Sequence, residues 1–304
     1  MTPSATTWPA AVSERSAELV HGAPRRGTVL AAFPTALYLQ VGGHADVLPV
    51  VTRDGLRLPT ALAVATTLPT VGWGAQPGDE VVVGGGAVRL PGVTVRAVRT
   101  WRPHPAPRAA ATTIGGPLAT LPLPWRVPAR GVAELLLSGA PAPSALPDRV
   151  GALVGAGPGL TPSGDDVLCG VLLGLRLHPR GTSAFVDELW RAVRPRLTAT
   201  TSLSASLLRE AADGYAAEPV TRLLQRLASA GSDSSSAVRE GTTVTEAVHE
   251  VLAIGHTSGA DLLGGLAGCL DALAAQSGQT APSASTTVNP PTATSLSATP
   301  RSLP

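Results

Sequence analysis

Two aspartates, Asp165 and Asp166, stand side by side at the end of a glycine-rich loop, GAGPGLTPSGDD (155–166), directly before the apolar run VLCGVLLGL. Adjacent like charges repel unless a cation or several donors neutralise them. The pair therefore points to chemistry: Mg²⁺ bridging to a phosphate, or carboxylates orienting the N–H₂ of an amide. Gly155, Gly157 and Gly159 are suited to bringing bare backbone amides close to a ligand. Gly157, Gly159, Leu160 and Thr161 are thus candidate donors to an anion, with Ser163, Gly164, Asp165 and Asp166 beside them. The helix start that follows adds free N–H groups and a partial positive charge.

This unit has an echo. SGADLLGG (258–265) matches SGDDVLCG (163–170) at the Ser, the Gly, the second acidic position, the Leu and the final Gly, and each follows a threonine, Thr161 or Thr257. Gly170 with Gly174, and Gly264 with Gly268, place small residues four apart. The pattern predicts two buried helices side by side with their N-termini converging. His256, Thr257, Ser258 and Asp261 would line the opposite wall, with His256 as an acid or base near neutral pH, or simply hydrogen-bonded in a turn. A plainer reading competes: Ser-x-x-Asp before an apolar run is a capping box, with Ser163 and Ser258 as caps and Asp166 and Asp261 reaching back. Thr200, Thr201 and Ser202 precede another helix, where capping is the first expectation. Arg102 and Arg126 each follow a tryptophan, as a carboxylate clamp or a stacked pair. The turn Gly42-Gly43-His44-Ala45-Asp46 receives no chemical role.

The elements that must position these residues fall into two halves. An amphipathic helix is expected at 11–21. Short β-like runs fill 27–102, among them GTVLAAF, ALYLQV, ADVLPVV, DEVVVGGGAVRL and GVTVRAV, as an antiparallel sheet or small barrel. A Pro-rich connector covers 103–130. Helices are expected at 131–138, 165–177, 183–196, 201–213, 217–229, 243–254 and 260–275. GSDSSS at 231–236 reads as a surface loop and 277–304 as a disordered tail. The fold class is α+β: an N-terminal antiparallel β-rich domain, then an α-helical domain (131–276) with a repeated loop–helix unit.

Composition narrows the chemistry. The basic residues are all arginine, which excludes a Schiff base, a pyridoxal phosphate anchor and a P-loop lysine. The net charge of +2 carries no clustered basic stripe, so a nucleic-acid partner is not expected. Charged residues are 14% of the chain, below the ~25% of ordinary soluble domains, which hints at a surface covered by a partner. Cys169 and Cys269 read as small core residues in a reducing compartment. The longest apolar run, Val167 to Leu177, is about half of the ~20 residues a membrane span needs, and no secretory signal is apparent. A cytoplasmic protein is expected.

GPGLTPSGDD (157–166) with its apolar helix, a Thr/Ser-rich helix start, and GHTSGADLLGGL (255–266) together resemble the AllH-like family, named for a subunit of oxamate carbamoyltransferase. The resemblance covers mainly residues 125–275. It implies purine-nitrogen (allantoin) degradation, transfer of a carbamoyl group between oxalurate and phosphate, and work alongside other subunits. On that resemblance, backbone amides at converging helix ends would steady a tetrahedral transition state without a lysine. Two further readings stand beside it. One is a non-catalytic scaffold subunit; the other is Mg²⁺-dependent phosphoryl transfer with metal on Asp165 and Asp166.

Overall fold

The β-like runs of the N-terminal half close on themselves. A computed structural model describes residues 6–110, 116–138, 145–229 and 243–279. Its eight strands are β1 (Thr6–Ser13), β2 (Arg25–Phe33), β3 (Ala36–Gln40), β4 (Val47–Val51), β5 (Leu62–Val64), β6 (Glu80–Gly84), β7 (Ala87–Leu90) and β8 (Val93–Trp101). They form a closed barrel in the order β1-β5-β4-β3-β2-β6-β7-β8. The expected antiparallel sheet is corrected here, because β1 pairs parallel with β8 and β4 parallel with β5. The expected helix at 11–21 is corrected too. Thr6–Ser13 is the strand that closes the barrel, and only Ala17–His21 (α1) is helical. Closure removes the unpaired edges that a sheet would expose.

Local chemistry explains the turns and the inside-out pattern. Gly84 pairs with Ala87 across a two-residue turn, Gly85-Gly86, whose φ angles of 61° and 77° match the twist of a tight hairpin. The barrel interior is filled by Val12, Val29, Leu37, Leu39, Leu48, Val50, Leu62, Val83, Val88 and Val95, all nearly inaccessible. Eight strands leave room inside for little beyond side chains. β4 is buried on both faces: Leu48 and Val50 point into the barrel, while Val47 joins the core of the helical half. Its unbroken apolar run reflects that double burial.

The helical half comprises α2 (Gly116–Ala119), α3 (Arg126–Leu137), α4 (Ala145–Leu153), α5 (Ser163–Leu177), α6 (Ser183–Val193), a 3₁₀ turn (Arg194–Ala199), α7 (Ser202–Ala212), α8 (Glu218–Ser229), α9 (Val244–Leu252) and α10 (Ser258–Gln279). α3 begins inside the expected connector, and α4 was not foreseen. The loop at 231–236 and nearly all of the expected tail lie outside the described residues. No helix among the described residues is long and apolar enough to cross a membrane.

α7 ties the halves together. Arg209 pairs with Asp46 at 2.8 Å, Ser202 Oγ meets Gln40 Oε1 at 3.0 Å, and Arg15 spans Glu210 and Asp213, each at 2.5 Å. His44 holds Thr200 O at 3.0 Å and Ser202 Oγ at 3.2 Å. The turn given no role from sequence is therefore the barrel's handle on α7.

α5 and α10 lie parallel at the centre of the helical core, backbone against backbone. A Cβ on Gly170 would stand 2.1 Å from Leu262 O, and one on Gly265 2.1 Å from Val167 O. Gly174 backs onto Cys269. Gly264 and Gly268 face α3 instead, meeting Pro124 O and Arg126 O. Of the two glycine pairs expected to join one seam, only Gly170 and Gly174 do so; Gly265 completes it. Gly170→Ala should cost about 3 kcal/mol, since backbone atoms cannot yield as side chains do. Gly131→Ala, on α3 with open space around it, should stabilise by about 0.5–1 kcal/mol. Denaturant midpoints of the two variants test this. Equal stability of Gly170→Ala and the parent chain would contradict the packing.

Candidate active site

The seam carries the two matched helix starts to one place. Thr161 Oγ1, just ahead of α5, meets Ser258 Oγ, the first residue of α10, at 2.8 Å. The capping-box reading does not hold for α5. Its N-cap is Pro162, which leaves no side-chain cap, and Ser163 lies one position inside the helix. Side-chain capping is found where it was expected on α7: Thr201 accepts from Ser204 N at 3.1 Å while donating to Leu160 O at 2.5 Å. A full capping box starts α9, at Thr243 and Glu246.

Successive residues on a helix point about 100° apart, so the adjacent aspartates have separate surroundings. Asp165, 1% exposed, accepts from Gly155 N at 3.0 Å and from the Thr200 hydroxyl. It braces the glycine loop against the start of α7. Burial raises its pKa, and the hydrogen bonds from Thr200 and Gly155 oppose the rise. Both of its carboxylate oxygens are thus engaged by protein donors. No group of three or more His, Cys, Asp or Glu that could hold a metal ion is found among the described residues.

Asp166 turns the other way. It is 5% exposed, and its Oδ2 has no hydrogen-bond partner. Asp261, at the matched position of α10, is 2% exposed and likewise leaves Oδ2 unpartnered. Burial pushes the Asp166 carboxyl up to about 8; the Ser258 and Thr161 hydroxyls oppose the rise, while Asp261 and Asp165 reinforce it. A buried carboxyl without a compensating cation gives up charge in preference to desolvating it. At neutral pH Asp166 is therefore largely a neutral acid, able both to donate and to accept a hydrogen bond.

Asp166 opens onto a cleft of about 290 Å³ between the barrel and the helices. Phe33, Tyr38, Leu56 and Leu58 form the barrel wall; Leu173, Leu203, Leu207, Ala211 and Val220 form the helical wall. Thr161, Ser258 and Cys169 join Asp166 at its polar end. Burial raises the Cys169 thiol well above its ordinary pKa, with Asp166 and Asp165 adding to the effect, so it is no nucleophile at neutral pH. Among the described residues no arginine or histidine lines this cleft. A separate groove on the far side of Ala216 carries Arg57, Arg102, Arg222 and His104. Each of those arginines faces a glutamate: Glu218 at 3.8 Å, Glu14 at 2.8 Å and Glu250 at 3.2 Å, respectively.

The remaining expectations fall as follows. Leu160, Thr161, Ser258 and Asp166 reach the cleft. Gly157 and Gly159 are exposed at the loop surface, and their amides donate to no protein acceptor among the described residues. Both have positive φ, 117° and 92°, which is reason enough for glycine. Gly164 is buried, and a Cβ there would stand 2.0 Å from Leu153 O. Ser163 is only partly buried and does not line the cleft. His256 and Thr257 are exposed in the turn before α10 and do not line the cleft either. Arg102 pairs with Glu14, and Arg126 with Asp271 at 2.7 Å, so neither clamps a ligand here; Arg57 lies over Trp101 instead. Sequence reasoning missed the apolar walls. Phe33 and Tyr38 come from strands that looked like ordinary barrel residues, and nothing local marks them.

Residues 153–270 match the family model described as oxamate carbamoyltransferase subunit AllH. No solved structure matches the chain at a significant level.

The raised Asp166 pKa makes a prediction about stability. Between the ordinary carboxylate value and about 8, the folded state holds a proton that the unfolded state has lost, so stability falls as pH rises across that window. Asp166→Asn should flatten that slope by up to roughly 1.4 kcal/mol per pH unit. Urea titrations of both proteins from pH 5 to 9 measure it. Parallel pH profiles would contradict the buried neutral acid.

Proposed function

From the membership of residues 153–270 in the oxamate carbamoyltransferase subunit AllH family, we propose that this chain is a subunit of a carbamoyltransferase whose carbamoyl group is held at Asp166. The observation that carries the reading is the unpartnered, buried Asp166 Oδ2 at the polar end of the cleft, beside the Thr161 and Ser258 hydroxyls. A neutral carboxyl and a primary amide are complementary: the acid O–H donates to the carbonyl while its other oxygen accepts from N–H₂. Polarising that carbonyl assists attack upon it, and donors already in place require no reorganisation as charge develops. Phosphate of carbamoyl phosphate would meet the free amides of Gly157 and Gly159 at the rim, next to the positive end of α5. Asp165 then serves as a positioning residue, holding that loop through Gly155. Burial, reinforced by Asp261 and Asp165, keeps Asp166 protonated. The acceptor is oxamate or a related small carboxylate, and further subunits complete the enzyme.

Carbamoyl phosphate at about one hundred times its Kd should raise the melting temperature by roughly 5–10 °C, from about 2.7 kcal/mol of binding linkage. The shift should vanish in Asp166→Leu and survive in His256→Ala, whose side chain lies off the cleft. No shift in the parent chain with carbamoyl phosphate, oxamate or phosphate, alone or combined, would overturn the reading in favour of a scaffold subunit.

A further inference from the structure

A two-carbon acceptor leaves most of the cleft unexplained. Away from Asp166, Thr161 and Ser258, the walls are mainly apolar, with Phe33, Leu173, Leu203, Leu207 and Val220 beside the rings of Tyr38 and Tyr215, contributed by both halves of the chain. At about 290 Å³ the space approaches the range that encloses ligands much larger than oxamate. Its chemistry is also one-sided. Among the described residues no positively charged side chain lines it, Asp166 brings only a carboxyl, and an anion placed deep in the cleft would lose hydration without gaining a cation. Phe33, 46% exposed, stands at the rim as an apolar entrance.

We propose that the cleft takes an amide- or urea-headed molecule with an apolar body, the head at Asp166 and the body along the Leu203–Leu207–Val220 wall. This rests on the carbamoyl reading of Asp166 and narrows it. The carbamoylated compound would be an N-alkyl- or N-arylurea, and any anionic group it carries would project toward the rim. The carbamoyl-transfer step it implies is balanced: an amine nitrogen bonds to the carbamoyl carbon, the C–O bond to phosphate breaks, and the amine proton leaves with phosphate.

Titration calorimetry on the full chain with urea, methylurea, propylurea and hexylurea tests this. Affinity should rise roughly three- to fourfold per methylene, as apolar surface is buried. Octanoate, equal in length but anionic, should bind at least tenfold more weakly than hexylurea. In Ala211→Leu, which narrows the apolar wall, the gain with chain length should shrink while urea itself is unaffected. A flat series overturns the proposal but leaves the carbamoyl site standing, provided that carbamoyl phosphate still gives its Asp166-dependent shift. Octanoate binding as well as hexylurea would overturn the proposal too, because the head would then go unrecognised. If no urea binds and carbamoyl phosphate gives no shift, the carbamoyl reading itself fails.

Discussion

The closeness of α5 and α10 governs the rest of the structure. At Gly170 and Gly265 each helix presents bare backbone to the other, with no room for a methyl group. Packed this tightly and in parallel, the two helices bring their first turns together. Asp166 and Asp261 then meet where water is excluded and no cation is at hand. Burying ionised carboxyls without partners is expensive, and the helix dipoles return only ~1 kcal/mol or so each. The molecule meets the cost by protonating Asp166. A seam that looks like core packing is thus what turns an ordinary aspartate into a neutral hydrogen-bond donor and acceptor facing a cleft.

A second set of interactions keeps that cleft open. Asp165 gathers Gly155 and Thr200, Thr201 holds Leu160 O, and His44, Asp46 and Arg15 of the barrel grip α7. One aspartate therefore supports the loop while its neighbour faces the ligand space. The barrel, whose own interior is filled, contributes only its outer surface, through Phe33, Tyr38, Leu56 and Leu58. The site belongs to the junction of the two halves and to neither alone.

Much of this was legible in the sequence where period and local chemistry are strong. The long helices, the convergence of 163 with 258 and the β-rich first half all follow from repeat and hydrophobic pattern. A small barrel was one of two alternatives, but its closing strand was not legible, because Thr6–Ser13 has apolar spacing that suits a helix as well as a strand, and its parallel partner lies more than eighty residues away. The capping box was misread for a similar reason. Ser-x-x-Asp has the right spacing, but Pro162 takes the cap position and frees both side chains for tertiary contacts. Three glycines in the loop looked like an amide cradle, although positive φ alone accounts for all three. The division of labour between Asp165 and Asp166 depends on which neighbour each meets across the fold, and no local pattern encodes that.

The account stands or falls on the protonation state of one side chain. Carbon-13 NMR of aspartate-labelled protein, with the Asp166 carboxyl assigned by its absence in Asp166→Asn, reads that state directly. A titration midpoint near 8, moving downward when Asp261 is replaced by Asn, is the expected result. A midpoint near 4, unmoved by that replacement, would show an ordinary ionised aspartate and contradict the picture of two helix ends pressed together around a shared buried acid.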